Sequence, residues 1–118
     1  MVDYANAIEY LEKSCIILKE VGVGYQYLIQ PTTALFLTFK NLGREFDKEE
    51  IRIMIRALEH IDYQLNFSLY ELLEEQSYLK TAYDQIQEKV DAMEDEFKEK
   101  FLNYPIPKQI IQEWEGVS

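Results

Sequence analysis

Apolar side chains recur along this chain at alternating steps of four and three, the spacing that keeps them on one side of an α-helix. The longest series is Ile51, Ile55, Leu58, Asp62, Leu65, Leu69, Leu72, Gln76, Leu79, Tyr83, Ile86, Val90, Met93 and Phe97, and it never slips. It forms a heptad seam about seven repeats long. Asp62 and Gln76 are its polar members, both at heptad position a, where a polar residue lowers stability but can fix register or partner number. Asp47-Lys-Glu-Glu50 opens the series in capping-box form, an acceptor followed three residues later by Glu. Phe46 and Ile51 stand where a hydrophobic staple would place them. The seam therefore predicts one long helix over about residues 48–102.

A rival reading breaks that helix near Asn66, because Ser68-Leu-Tyr-Glu71 has the form of a second capping box. Two helices would then run over about 48–64 and 69–102. Unbroken, the helix would approach roughly 80 Å at about 1.5 Å per residue, too long for a compact monomer of this size. The heptad register survives the proposed break, which favours the unbroken helix in an extended coiled coil, most simply with a second copy.

The same periodicity predicts an N-terminal helix over residues 3–21. Asp3 is its N-cap, Tyr4, Ile8, Leu11, Cys15 and Leu18 share one face, and Ile16 and Ile17 widen the stripe. Gly22 and Gly24 end it, since glycine takes the left-handed conformation of a helix C-terminus. Residues 25–43 read two ways. A β-hairpin would pair Tyr25–Gln30 with Ala34–Phe39 around Pro31-Thr-Thr. A helix starting at Pro31 and stopping at Gly43 accounts for more of the segment, with Leu35, Phe36, Phe39 and Leu42 on one side. Residues 103–118 form a proline-containing tail, extended through Tyr104-Pro-Ile-Pro107, with a short helix over 108–115. The expectation is an all-α fold, an antiparallel helical bundle or hairpin, built as a single helical domain over 1–118.

Composition narrows the function classes. Of 118 residues, 47% are hydrophobic, which is too many for a disordered chain. The net charge of −10 repels nucleic-acid phosphates and anionic membrane, so neither is an expected direct partner. One cysteine, Cys15, forms no intramolecular disulfide and no Cys-rich zinc site, and its apolar helix position predicts a buried thiol. The N-terminus lacks the pattern of a signal peptide, and the most apolar stretch, near Ala34–Phe39, is too short to span a bilayer. A cytoplasmic location is expected by default.

No catalytic, cofactor or metal motif stands out. His60 is the sole histidine, with Ala57 rather than Glu three residues before it, so the Glu-x-x-His pairing of di-metal bundles is absent. Residues 43–50 lack the EF-hand spacing, and Gly22-x-Gly24 lacks the third glycine of a phosphate-binding turn. The chain reads as a non-enzyme without cofactors. Two charged features remain. Arg44, Lys48, Arg52 and Arg56 recur every four residues, with Glu45, Glu49 and Glu59 close enough to neutralise much of the stripe. Asp91, Glu94, Asp95, Glu96 and Glu99 form an acidic run.

These features point to a protein–protein interaction module, an adaptor, assembly chaperone or small regulator, with the seam as its packing surface and a homodimer as its expected state. Ile110, Ile111 and Trp114 on the tail helix are candidate partner contacts, as are Glu94, Asp95 and Glu96. The acidic trio also supports an alternative, an acidic inhibitor that mimics nucleic acid and blocks a basic nucleic-acid-binding partner.

Overall fold

The computed structural model describes residues 3–117. Those residues form seven α-helices and no strand: α1 (Tyr4–Val21), α2 (Tyr25–Asn41), α3 (Lys48–Ala57), α4 (Tyr63–Leu73), α5 (Gln76–Asp91), α6 (Asp95–Leu102) and α7 (Pro105–Val117). The all-α expectation holds, and the β-hairpin over 25–43 is excluded. No helix is long and apolar enough to cross a membrane. The helices gather into two compact units, one ending at His60 and the other beginning at Ile61.

In the N-terminal unit, α1 and α3 each pack on α2. Asp3 caps α1 by accepting the Asn6 N–H at 3.1 Å. Gly22 closes the helix in the left-handed region, at φ 81°, where its missing Cβ removes the steric penalty. Gly24 does not help end α1; its extended backbone starts α2. That helix begins six residues before Pro31, so the proline lies inside it rather than at its first position. An interior proline costs about 3 kcal/mol through its missing donor and ring clash. Leu28, Ile29, Leu35 and Phe36 are all buried, and each contributes about 1.5–3 kcal/mol, so packing outweighs the local penalty. Phe36 stacks on Phe46 (centroids 5.4 Å apart) and on Phe39 (6.3 Å). Cys15 is buried, with Sγ 3.7 Å from the Thr32 hydroxyl.

The single long helix over 48–102 does not form. The chain leaves helix at 58–62, 74–75 and 92–94. It does not break at Asn66, which lies inside α4, and the Ser68 capping box is unused. Instead Asp62 caps α4, its Oδ1 accepting the Leu65 N–H at 2.9 Å. Just before the cap, the Ile61 carbonyl accepts Asn66 Nδ2 at 3.1 Å and Gln85 Nε2 at 2.7 Å, and Asn66 Nδ2 also donates to Gln85 Oε1 at 3.0 Å. Two side-chain amides thus satisfy a carbonyl that an uninterrupted helix would have paired internally. Glu74 ends α4 in the left-handed region, at φ 58°. The physical reason for the correction is coverage. A rod needs a second chain to shelter its stripe, whereas short helices that turn back shelter it themselves.

In the C-terminal unit, α5 packs on both α4 and α7, and α6 on α7. Phe67, Leu79, Ala82, Ile86 and Ile110 form its buried centre, with Tyr63, Tyr83, Phe101 and Trp114 among the half-buried side chains around it. The tail is not extended through Tyr104–Pro107. Helix α7 starts at Pro105 and takes in Pro107, because the first-turn N–H groups of a helix have no intrahelical acceptor and proline loses nothing there.

Candidate functional site

An open groove of about 440 Å³ lies within the N-terminal unit, lined by the last turn of α1, the start of α2 and the first half of α3. Local sequence builds each wall. The Gly22-Val-Gly24 turn brings Tyr25 close behind Lys19. Asp47 fixes the start of α3 by accepting the Glu49 and Glu50 N–H groups at 3.1 and 3.2 Å. The reciprocal half of the capping box is not used, because Glu50 reaches instead to Lys19, Oε1 to Nζ 3.2 Å.

Leu28 and Met54 line the groove as buried residues, while Tyr25 and Ile53 remain 41% and 43% exposed. Asp47, Glu49 and Glu50 supply three carboxylates against one lining cation, Lys19. Glu49 also pairs with Arg56 at 2.9 Å, outside the lining set. The lining contains neither histidine nor cysteine, so its chemistry is that of contact and charge. Among the described residues, no cluster of three or more His, Cys, Asp or Glu is arranged to hold a metal.

The seam residues divide among four helices and a loop. Ile51, Leu65, Leu69, Leu72, Leu79 and Ile86 are buried; Ile55, Leu58, Tyr83, Val90 and Met93 are half-buried; Phe97 is 50% exposed. Asp62 and Gln76 are not polar members of a packed seam. They stand at helix starts, Asp62 as the cap of α4 and Gln76 as the exposed first residue of α5. Of the tail candidates, Ile110 is fully buried, Ile111 and Trp114 are half-buried, and Trp114 stacks on Tyr83 at 5.6 Å. These three belong to the C-terminal unit's own packing rather than to an outward patch. Glu94, Asp95 and Glu96 are exposed at the start of α6, and Asp95 pairs with Lys98 at 3.2 Å.

The basic series does not form one helical stripe. Arg44 precedes α3 and lies over the Phe39 ring at 4.8 Å, and Lys48 lies over Phe46 at 6.0 Å. His60 is exposed in the segment between α3 and α4, not on a helix. In the C-terminal unit the Tyr70 hydroxyl donates to Glu113 Oε1 at 3.1 Å. Burial raises the Tyr70 pKa first, followed by that hydrogen bond and the nearby charges of Glu113, Glu71 and Glu74.

Sequence reasoning missed Lys19, Tyr25 and Ile53 as groove residues. A signal existed for one of them: Ile53 is apolar but falls off the heptad series, so burial of the seam does not explain it. Ile16 and Ile17 similarly widen the α1 stripe beyond one buried face, and both are exposed. Comparison with known proteins finds no matching family, no matching curated protein and no matching solved structure.

Proposed function

We propose that this chain is a non-enzymatic protein-binding module, an adaptor, assembly chaperone or small regulator, whose N-terminal unit presents the partner surface. One observation carries the reading. Eight of the eleven large exposed apolar side chains among the described residues lie in that unit. Three of them, Tyr10, Ile17 and Val21, recur at i, i+7 and i+11 and share a side of α1 roughly opposite Cys15. Concentrated exposed apolar surface marks interaction sites more often than chance. The groove adds concavity to that surface.

A homodimer is a natural first partner, but the seam is a poor candidate for its interface, since most of its side chains are sheltered within one chain. The α1 face suits a coiled-coil-like contact better. The proposed setting is the cytoplasm, where the single unpaired cysteine stays reduced. Photo-cross-linking side chains placed at Ile17 and Ile53, with Thr81 and Gln112 as exposed controls, test the reading in cells that make the protein. Discrete adducts from the first pair alone support it, and a mass twice that of the chain identifies a second copy. Equal yields from all four positions, or none from any, refute it.

A second reading, the acidic inhibitor of a basic nucleic-acid-binding protein, draws on charge placement. From Ile61 onward the chain carries thirteen acidic residues against five basic ones, and Asp91, Glu94, Asp95 and Glu96 are exposed around the end of α5 and the start of α6. Charge reversal at Glu94, Asp95 and Glu96 then abolishes a tight, salt-sensitive interaction. Binding that survives the reversal rejects this second reading.

A further inference from the structure

We infer that the groove between α1, α2 and α3 accepts an apolar side chain carried on a cationic segment of a protein partner, with the Lys19–Glu50 bridge occupying the cation's place until that segment docks. The inference rests on the N-terminal unit being a partner surface and specifies what that surface takes.

Volume sets the scale. About 440 Å³ falls in the lower part of the roughly 300–1,000 Å³ range of ligand pockets, which is room for one or two side chains rather than a whole helix. The walls set the chemistry of the inserted group. Leu28, Ile53, Met54 and the Tyr25 ring offer apolar contact, and an unbranched methionine adapts to more than one guest shape. Tyr25 and Ile53 stay two-fifths exposed in a concave place, so they lose further water when it fills.

Charge sets the flanking chemistry. Of the three lining carboxylates, Asp47 is committed to capping α3, which leaves Glu49 and Glu50 to meet a guest. Both already hold cations from this chain, Arg56 and Lys19. Solvent-exposed pairs of that kind are weak and exchange readily. The Lys19–Glu50 bridge joins α1 to α3 across the groove, so a guest cation at Glu50 displaces Lys19 and opens the apolar walls together. A net charge of −10 on the whole chain further favours encounter with cationic segments.

The sign of one substitution is distinctive. Removing a cation normally weakens a protein's contacts, yet Lys19→Ala is expected to strengthen binding here. The experiment measures fluorescence anisotropy of a labelled Leu/Lys amphipathic peptide with the full-length protein, beside Leu/Ser and Leu/Glu versions. The Leu/Lys peptide binds tightest. Lys19→Ala tightens it roughly twofold to fivefold, and Glu50→Gln with Glu49→Gln loosens it by a similar factor. Ile53→Asn weakens it about tenfold. Circular dichroism checks that each variant stays folded, which the exposure of these positions favours.

If the Leu/Ser peptide binds as well and ignores the glutamate changes while still sensing Ile53→Asn, the cationic requirement is overturned and the binding module stands. If Ile53→Asn leaves every peptide unaffected, the groove is not the site and the inference fails with it. If neutralising Glu94, Asp95 and Glu96 weakens binding as much as neutralising Glu49 and Glu50, the attraction is to acidity in general, which also overturns it.

Discussion

The two units are built from the same kind of amphipathic helix but spend their side chains differently. The N-terminal unit is nearly balanced in charge, with nine acidic residues against seven basic, and it leaves most of the large exposed apolar groups on its surface. The C-terminal unit has thirteen acidic against five basic. Its aromatic residues are largely drawn inward, with Tyr63, Phe67, Tyr70, Tyr83, Phe101 and Trp114 in or against its centre. A surface with many like charges stays soluble and resists casual association. A nearly neutral one with apolar side chains exposed lacks that protection unless something covers it. The contrast is the reason for assigning partner contact to the N-terminal unit.

The largest effect that could break this contrast concerns burial. Leu79 is fully buried in the C-terminal centre, and Leu79→Ala is expected to destabilise that unit by about 2–5 kcal/mol. Ile17, exposed on α1, is expected to tolerate the same truncation within about 0.5 kcal/mol. Chemical denaturation of both variants gives the comparison. An Ile17→Ala cost approaching that of Leu79→Ala would mean that α1's outer face is structural, and the asymmetry between the units would lose its functional meaning.

A smaller effect sharpens the origin of the C-terminal unit as a separate body. Asn66 is buried and donates to both the Ile61 carbonyl and Gln85. Asn66→Ala removes those bonds and leaves Gln85 Oε1 without the Asn66 donor, a loss of about 1–3 kcal/mol. If the network holds the chain out of helix at 58–62, amide hydrogen exchange at Ile61 and Asp62 changes more than exchange in α7. Uniform change would show that Asn66 contributes only to general packing.

How much of this was legible follows from which forces are local. Helix existence was legible, because steps of three and four record a buried face whatever covers it. Asp3, Gly22, Gly43 and Asp47 also marked helix ends where the backbone uses them. Continuity was not legible from register. The connections at 58–62 and 74–75 are short, and the apolar phase happened to persist across them. The better signal was the pair of polar residues in the seam, since Asp62 and Gln76 both stand at helix starts. The inward packing of Ile110 and Trp114 was not local information either, since it depends on α5. The groove was least legible of all. Its lining comes from three helices, and its bridge joins Lys19 to Glu50 across 31 positions of sequence.

The smallest effect tests whether the C-terminal unit's acidity matters to its own packing. The Tyr70 hydroxyl is held against Glu113 with Glu71 and Glu74 nearby, and its pKa lies above the ordinary tyrosine value, with burial as the leading cause. The neutral phenol is therefore favoured by the folded state. Its contribution to stability is fully present below the unfolded value of about 10 and is lost as pH rises through the folded one. Above pH 10 the unfolded chain has released this proton while the folded chain still holds it, so unfolding releases a proton and stability falls with increasing pH. Tyr70→Phe removes that dependence, while the other tyrosines titrate in both proteins and cancel in the difference. At neutral pH the lost hydrogen bond, largely exposed, costs at most about 0.5 kcal/mol. Between about pH 9 and 11 the variant's stability should fall less steeply than that of the unaltered protein. Parallel curves through that range would mean that Glu113 does not hold the phenol in solution. The fold of α7 against α4 would then owe nothing to this contact, leaving the apolar packing of Ile110 and Trp114 as the force that brings the tail inward.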